Sequence, residues 1–247
     1  MYKIVPVKDS RSLKLAFPTP ALSPFYLRNP SALISHLIGH EGKGSLLELL
    51  KKKSWADGLS CGRSRINFDF ELFSIDITLT EDGIHHVEEI LQLVFQYIWL
   101  VKQSQTAITK WRYEELRQMS TLNFQFKQKR QAADTVETLS SQMQQYLPEH
   151  TLCGPYWYIH YDSAVTTSFL QYLVPTNLNV FVIARNFKGQ TDKKEFWYGT
   201  DYSVEQISSS LLEKFQSIQQ NDIHNELYLP QPNEFIPKDV QLKTSIE

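Results

Sequence analysis

An α+β fold, an antiparallel-rich sheet with helices packed on one side, is what this sequence predicts. Three observations carry the expectation. Strand-like segments with period-2 alternation cluster near the start, at residues 12–17 and 68–79. Amphipathic helical segments follow in a run rather than alternating strictly with strands, which argues against a doubly wound parallel sheet. Of the 247 residues, 42% are hydrophobic and 13% aromatic, enough for a core without disulfide staples.

The elements read as follows. Leu13, Leu15 and Phe17 alternate with Ser12, Lys14 and Ala16, giving a half-buried strand stopped by Pro18 and Pro20. Asn29-Pro30 opens a helix as N-cap and first helical residue, with Leu33, Ile34, Leu37 and Ile38 on its apolar face. Gly39, Gly42 and Gly44 end it, and the capping box Ser45-Leu-Leu-Glu48 starts a second helix running to about Lys53. Asp57-Gly58 signals a turn, followed by a short strand. Across 68–79 the apolar alternation changes phase between Leu72 and Phe73. That predicts either a bulge or a change in what covers each face. Thr78 or Thr80 caps the next helix, whose buried stripe is Ile84, Val87, Leu91, Val94 and Ile98. Helices are expected over about 107–127, 131–146, 162–174 and 204–219, with a strand at 177–185. A Pro-rich extended tail occupies 226–247, and no linker composition divides the chain, so 1–247 reads as a single domain.

Charge and cysteine content narrow the function. With 25 Lys+Arg against 27 Asp+Glu the net charge is −2, which excludes nucleic-acid binding by bulk charge. No apolar run nears the roughly 18 residues that span a bilayer, and no secretory leader pattern opens the chain. No membrane partner is expected. Cys61 and Cys153, without paired spacing, read as two reduced thiols in a cytoplasmic protein.

One segment has the spacing of a metal site. His36 and His40 stand four apart on one helix face, as two zinc-ligating histidines do. In the inverted motif H-x-x-E-H a glutamate precedes the second histidine and takes a proton from the metal-bound water. Here that position is Gly39, and Glu41 projects about 100° away. Glu114 and Glu115 could add a ligand but do not replace the missing base. The residues therefore predict no catalytic group and no metal ligand. A plainer expectation is that both imidazoles interact with the last carbonyls of the helix. Lys127, Lys129 and Arg130 form a small basic cluster suited to an acidic partner surface, and no phosphate-cradling or G-x-S-x-G pattern is present.

Several blocks are also familiar as blocks. Tyr2-Lys-Ile-Val-Pro-Val-Lys-Asp9, His36-Leu-Ile-Gly-His-Glu-Gly42, Gly44-Ser-Leu-Leu47, Trp197-Tyr-Gly-Thr200 and Asn233-Glu-Phe-Ile-Pro237 run in order over nearly the whole chain. Together they resemble the second domain of the insulysin-like members of the inverted-zinc-motif (pitrilysin-like, M16) metallopeptidases. The resemblance implies a metallopeptidase-like domain of the LuxS/processing-peptidase type. It would be a diverged, non-catalytic copy in a zinc metalloendopeptidase whose zinc sits in the first domain, with no cofactor in this segment. It further implies that the domain walls a chamber and holds the amino ends of peptide substrates as an added strand. The matching exosite positions are His36, Gly39 and His40 on the helix end and Leu59, Ser60, Cys61 and Gly62 on a strand. Three residues depart from the family pattern: Cys61 stands where Gly is usual, Ala32 where His is usual and Lys14 where Tyr is usual. The implied partners are peptides and the other domains of the same enzyme. Surfaces bared in isolation predict a homo-oligomer. The alternative is a self-standing inactive subunit of a peptidase-like complex.

Overall fold

Residues 1–103, 107–237 and 239–240 are described by a computed structural model of the chain. In chain order the elements are β1 (Tyr2–Ile4), β2 (Ser12–Pro20), α1 (Pro30–Ile38), α2 (Leu46–Lys52), β3 (Ala56–Arg65), β4 (Phe70–Leu79) and α3 (Val87–Gln103). Then come α4 (Lys110–Gln125), α5 (Ala132–Met143), α6 (Ser163–Leu170), β5 (Asn179–Ile183), β6 (Lys193–Lys194), β7 (Asp201–Val204) and α7 (Ser209–Gln216). The strands form one seven-stranded sheet in the order β3-β4-β2-β5-β1-β7-β6, antiparallel except where β1 runs parallel to β5. The expected α+β class is thus what the chain adopts.

Register assigns each residue to a face. Leu13, Leu15 and Phe17 of β2 lie opposite Ile77, Ile75 and Phe73 of β4, and β3 adds Leu59 and Cys61 beside them. These side chains form the core with Leu33, Ile34, Leu37 and Ile38 of α1 and with α3, whose Tyr97 is fully buried. On the other face Tyr2 stacks on Phe181 with ring centres 4.8 Å apart, and Lys14 faces Asp76 at 3.4 Å.

Several local expectations are corrected. β2 continues through Pro18 and Pro20, paired with Leu72 and Phe70. β5 begins only at Asn179, opposite Ala16, so on that side of β2 no strand stands opposite Pro18, whose carbonyl accepts from the Asn177 side-chain amide. A missing N–H on that side therefore breaks no ladder bond. No bulge occurs at Leu72–Phe73, where pairing is unbroken on both sides; cover changes instead, leaving Phe68 and Phe70 exposed. The register shift lies between Ala56 and Gly58, so Asp57-Gly58 is strand rather than turn. Asn67 makes the hairpin, its Oδ1 accepting from the N–H groups of Asp69 and Phe70.

Capping is similarly mixed. Asn29 precedes Pro30 as expected, but sits at a φ of 39° and its side chain caps nothing. Ser45 accepts from the Glu48 N–H, whereas Glu48 reaches the Gly44 N–H rather than that of Ser45. Thr80 Oγ1 accepts from the Gly83 N–H at 2.9 Å, opening a 3-10 turn ahead of α3. The helix expected over 204–219 begins only at Ser209 after β7, and β1 and β6 are also strands that periodicity does not reveal. All three are short, with Ser203 their one buried residue, and too brief to display a period.

The tail is anchored at its start. Leu227, Leu229 and Pro230 are buried, and Tyr228 covers Gly44, whose φ of +80° and lack of a Cβ both suit that contact. Residue 238 and residues 241–247 of the expected tail lie outside the described residues, as does the 104–106 segment.

Candidate functional site

The C-terminal end of α1 is built against the outer strand of the sheet. Gly39 closes the helix, its N–H bonded to the Ser35 carbonyl at 2.8 Å. A Cβ at Gly39 would lie 3.6 Å from the Cys61 Cβ, so the helix end abuts β3. Among the described residues β3 pairs with β4 alone, and its other edge carries no strand. The fold thus brings His36, Gly39, His40 and Cys61 together, three of them from a helix end and one from a sheet edge.

The remaining predicted residues have distinct placements. Leu59 is a core residue, 8% exposed, so only its backbone is available along the strand edge. Ser60 is exposed on the opposite face. Gly62 has open space where a Cβ would stand. The Cys61 thiol is pushed up in pKa by burial, which keeps it in the thiol form.

The two imidazole rings meet edge to face with centres 6.0 Å apart. His40 lies beyond the helix and its Nδ1 accepts from the Gly42 N–H at 3.0 Å. That bond replaces the expected one to the last helix carbonyls and leaves the proton on Nε2. Burial, His40 and the Arg112 guanidinium lower the His36 pKa; burial and Arg112 lower that of His40 against an opposing pull from Glu41. Both are therefore neutral near pH 7.

These residues do not fit zinc. His40 Nδ1 is occupied by a backbone donor and its Nε2 carries hydrogen, so it presents no lone pair in this arrangement. Glu114 bonds Arg117 and Glu115 accepts from the Asn233 N–H, so neither is a spare ligand. No group of three or more His, Cys, Asp or Glu side chains is gathered among the described residues. Arg112, buried on α4 and donating to the Pro230 carbonyl at 2.7 Å, adds a positive charge that acts on both rings. Its role was invisible in the sequence, because a single arginine on a helix carries no sign of which loop it will meet.

A second polar group lies on the core-facing side of β3 and β4. Glu71 is completely buried, its carboxylate oxygens both 3.0 Å from Arg63 Nη1 and one of them 3.2 Å from the Leu22 N–H. The expected basic cluster of Lys127, Lys129 and Arg130 rims an apolar groove of about 520 Å³ floored by Phe124, Val136, Leu139 and Leu152. No helix among the described residues is long and apolar enough to cross a membrane.

Comparison with known proteins gives a consistent result. Residues 1–120 match the family described as peptidase M16 inactive domain, and residues 124–247 match the middle or third domain of peptidase M16. The chain is 37% identical over 244 residues to insulin-degrading enzyme-like 1, peroxisomal, of Arabidopsis thaliana, covering 98% of this chain and 24% of that protein. It is 35% identical over 242 residues to the insulin-degrading enzyme of Homo sapiens, covering 98% of this chain and 23% of that protein. The crystal structure of pitrilysin superposes with a TM-score of 0.89 at 26% identity, over 98% of this chain and 25% of that one. The chain therefore spans about a quarter of the length of the relatives it matches.

Proposed function

Because the chain belongs to the M16 peptidase family, as an inactive domain of its insulysin- and pitrilysin-like members, we propose that it holds peptide substrates for catalysis performed elsewhere. In this reading residues 1–247 act as one domain: β1 and β2 from the first matched half and β5, β6 and β7 from the second share one sheet. Its sheet walls the chamber of a zinc metalloendopeptidase whose metal is held by another domain. The amino end of an extended peptide lies beside His36, Gly39 and His40 and pairs with Leu59, Ser60, Cys61 and Gly62. The observation that carries the reading is the position of Gly39 beside Cys61 at an open strand edge, where a Cβ would come 3.6 Å from the Cys61 Cβ. A free edge offers backbone donors and acceptors to any extended peptide, and a residue without a Cβ leaves room for the approaching chain terminus. A single short edge binds weakly, so the domain contributes mainly through linkage to a distant catalytic centre.

Fluorescence anisotropy with labelled unstructured peptides tests this. Binding in the micromolar to millimolar range is expected, weakened by acetylating the peptide's amino group, with no cleavage product by mass spectrometry in the presence of zinc. Chelator-sensitive cleavage, or binding indifferent to acetylation, would overturn the reading.

Self-association belongs to the same proposal. The groove between α4 and α5 and the exposed side chains of Val136 (65%), Met143 (68%) and Leu152 (61%) are apolar surface that a larger enzyme would cover. Sedimentation velocity is expected to show the mean mass rising with concentration, and Val136→Glu to suppress the rise. A wild-type chain that stays monomeric throughout would refute it.

A further inference from the structure

Beyond the strand-pairing residues, β3 runs on through Arg63 and Arg65, which share a face with Leu59 and Cys61. At about 3.3 Å per residue they stand roughly 7 and 13 Å further along the edge than Cys61. Both line a cavity of about 210 Å³ whose other walls are Ser23, Tyr26, Gln145 and Tyr146. Every side chain in that lining is polar or phenolic, and two of the six are cations.

The charges do not cancel within the cavity. Arg63 is bonded to Glu71 through Nη1 alone, and Glu71, being fully buried, sits behind it rather than in the wall. Arg65 donates through Nε to the Asn67 carbonyl at 3.3 Å and rests 4.4 Å over the Phe68 ring. Its terminal nitrogens make no hydrogen bond among the described residues. One buried carboxylate thus stands against two guanidinium groups. The phenols stay protonated, since burial raises both Tyr26 and Tyr146. Glu149, outside the lining, is a further negative charge that acts on Tyr26, whose hydroxyl is bonded to His150 Nδ1 at 2.5 Å.

We infer that this cavity is a selectivity subsite for an acidic side chain of the bound peptide. The Asp or Glu would stand two to four residues along the added strand from the position opposite Cys61. Arg65 supplies the main contact, with two N–H donors that match a carboxylate, and Arg63 adds positive field from the cavity wall. A free edge reads backbone without regard to sequence, so a paired-arginine cavity at its end would give the otherwise indifferent strand a preference. The inference rests on the strand-docking reading given above.

The test uses C-terminally amidated peptides with one Asp walked through positions two to seven, each beside its Asn twin, measured by anisotropy at low and high salt. One Asp position, or two positions that lie two residues apart and so share a face, are expected to bind about five- to tenfold more tightly than the Asn twins. The advantage should shrink at high salt and vanish in Arg65→Gln, which leaves the Arg63–Glu71 pair intact. A neutral peptide with a free carboxyl terminus is expected to bind like its amidated form. Gain from that terminus would mean that a chain end is the ligand and would refute the side-chain assignment. Equal Asp and Asn affinities alongside clear neutral-peptide binding would refute the subsite and leave strand docking standing. Loss of all peptide binding would refute both.

Discussion

Arg63→Met is expected to lower the unfolding free energy by about 2–3 kcal/mol, because it strands a buried carboxylate. Glu71 has no exposed surface and lies on the core-facing side of β4, opposite Thr19 of β2. Its charge is answered by Arg63 Nη1 at 3.0 Å and by the Leu22 N–H at 3.2 Å. Breaking a fully buried pair from one side costs about 3–5 kcal/mol. Arg63 keeps 29% of its side chain exposed, so water softens the loss and the lower figure applies. Replacing both members, Arg63→Met with Glu71→Leu, removes the stranded charge and is expected to recover at least half of the loss. Urea unfolding of the two single variants, the double variant and the parent chain gives the coupling directly. A single-variant cost below about 1 kcal/mol, or a double variant no better than Arg63→Met, would show that the pair does not hold the Glu71 charge.

Gly39→Glu writes the missing glutamate of the H-x-x-E-H motif back into the chain, and it is expected to restore no peptidase activity. The carboxylate alone does not make a zinc site. His40 still spends Nδ1 on the Gly42 N–H, Arg112 still acts as a cation on both rings, and Glu114 and Glu115 remain engaged. Binding, by contrast, should suffer. A Cβ at this position lies 3.6 Å from the Cys61 Cβ and 2.8 Å from the Ser35 carbonyl oxygen. The backbone of the helix end must shift, and the longer side chain then fills the space a peptide terminus would take. Affinity for unstructured peptides is expected to fall at least tenfold, with the circular dichroism spectrum retained. Stoichiometric zinc in calorimetry together with chelator-sensitive cleavage would refute the first expectation. Unchanged peptide affinity would refute the second, and with it the place of Gly39 in the docking site.

The parts of this fold that could be read from residues alone are those with a long period or strong local chemistry. β2, β4, α1 and α3 each bury a stripe that alternates or recurs with the right spacing, and Ser45 caps α2 by a bond formed within four residues. β1, β6 and β7 escaped because two to four residues show no period, and their strand state comes from partners distant in the chain. The proline positions misled for a related reason. Pro18 stops a strand only where the lost N–H had a partner, and β5, which starts at Asn179 opposite Ala16, leaves Pro18 without one.

The candidate site divides along the same line. That no carboxylate precedes the second imidazole follows from Gly39 itself, because a missing side chain stays missing in any conformation. The position of Gly39 beside Cys61, that of β3 at the outside of the sheet, the Arg112 charge acting on the histidines and the Arg63–Glu71 pair are properties of the tertiary structure alone. Covalent chemistry and short-range backbone preference are properties of residues and their immediate neighbours, so the chain carries them openly. Whether a strand has one partner or two, and which charge is left facing a cavity, depends on segments brought together across the fold, and only packing decides it.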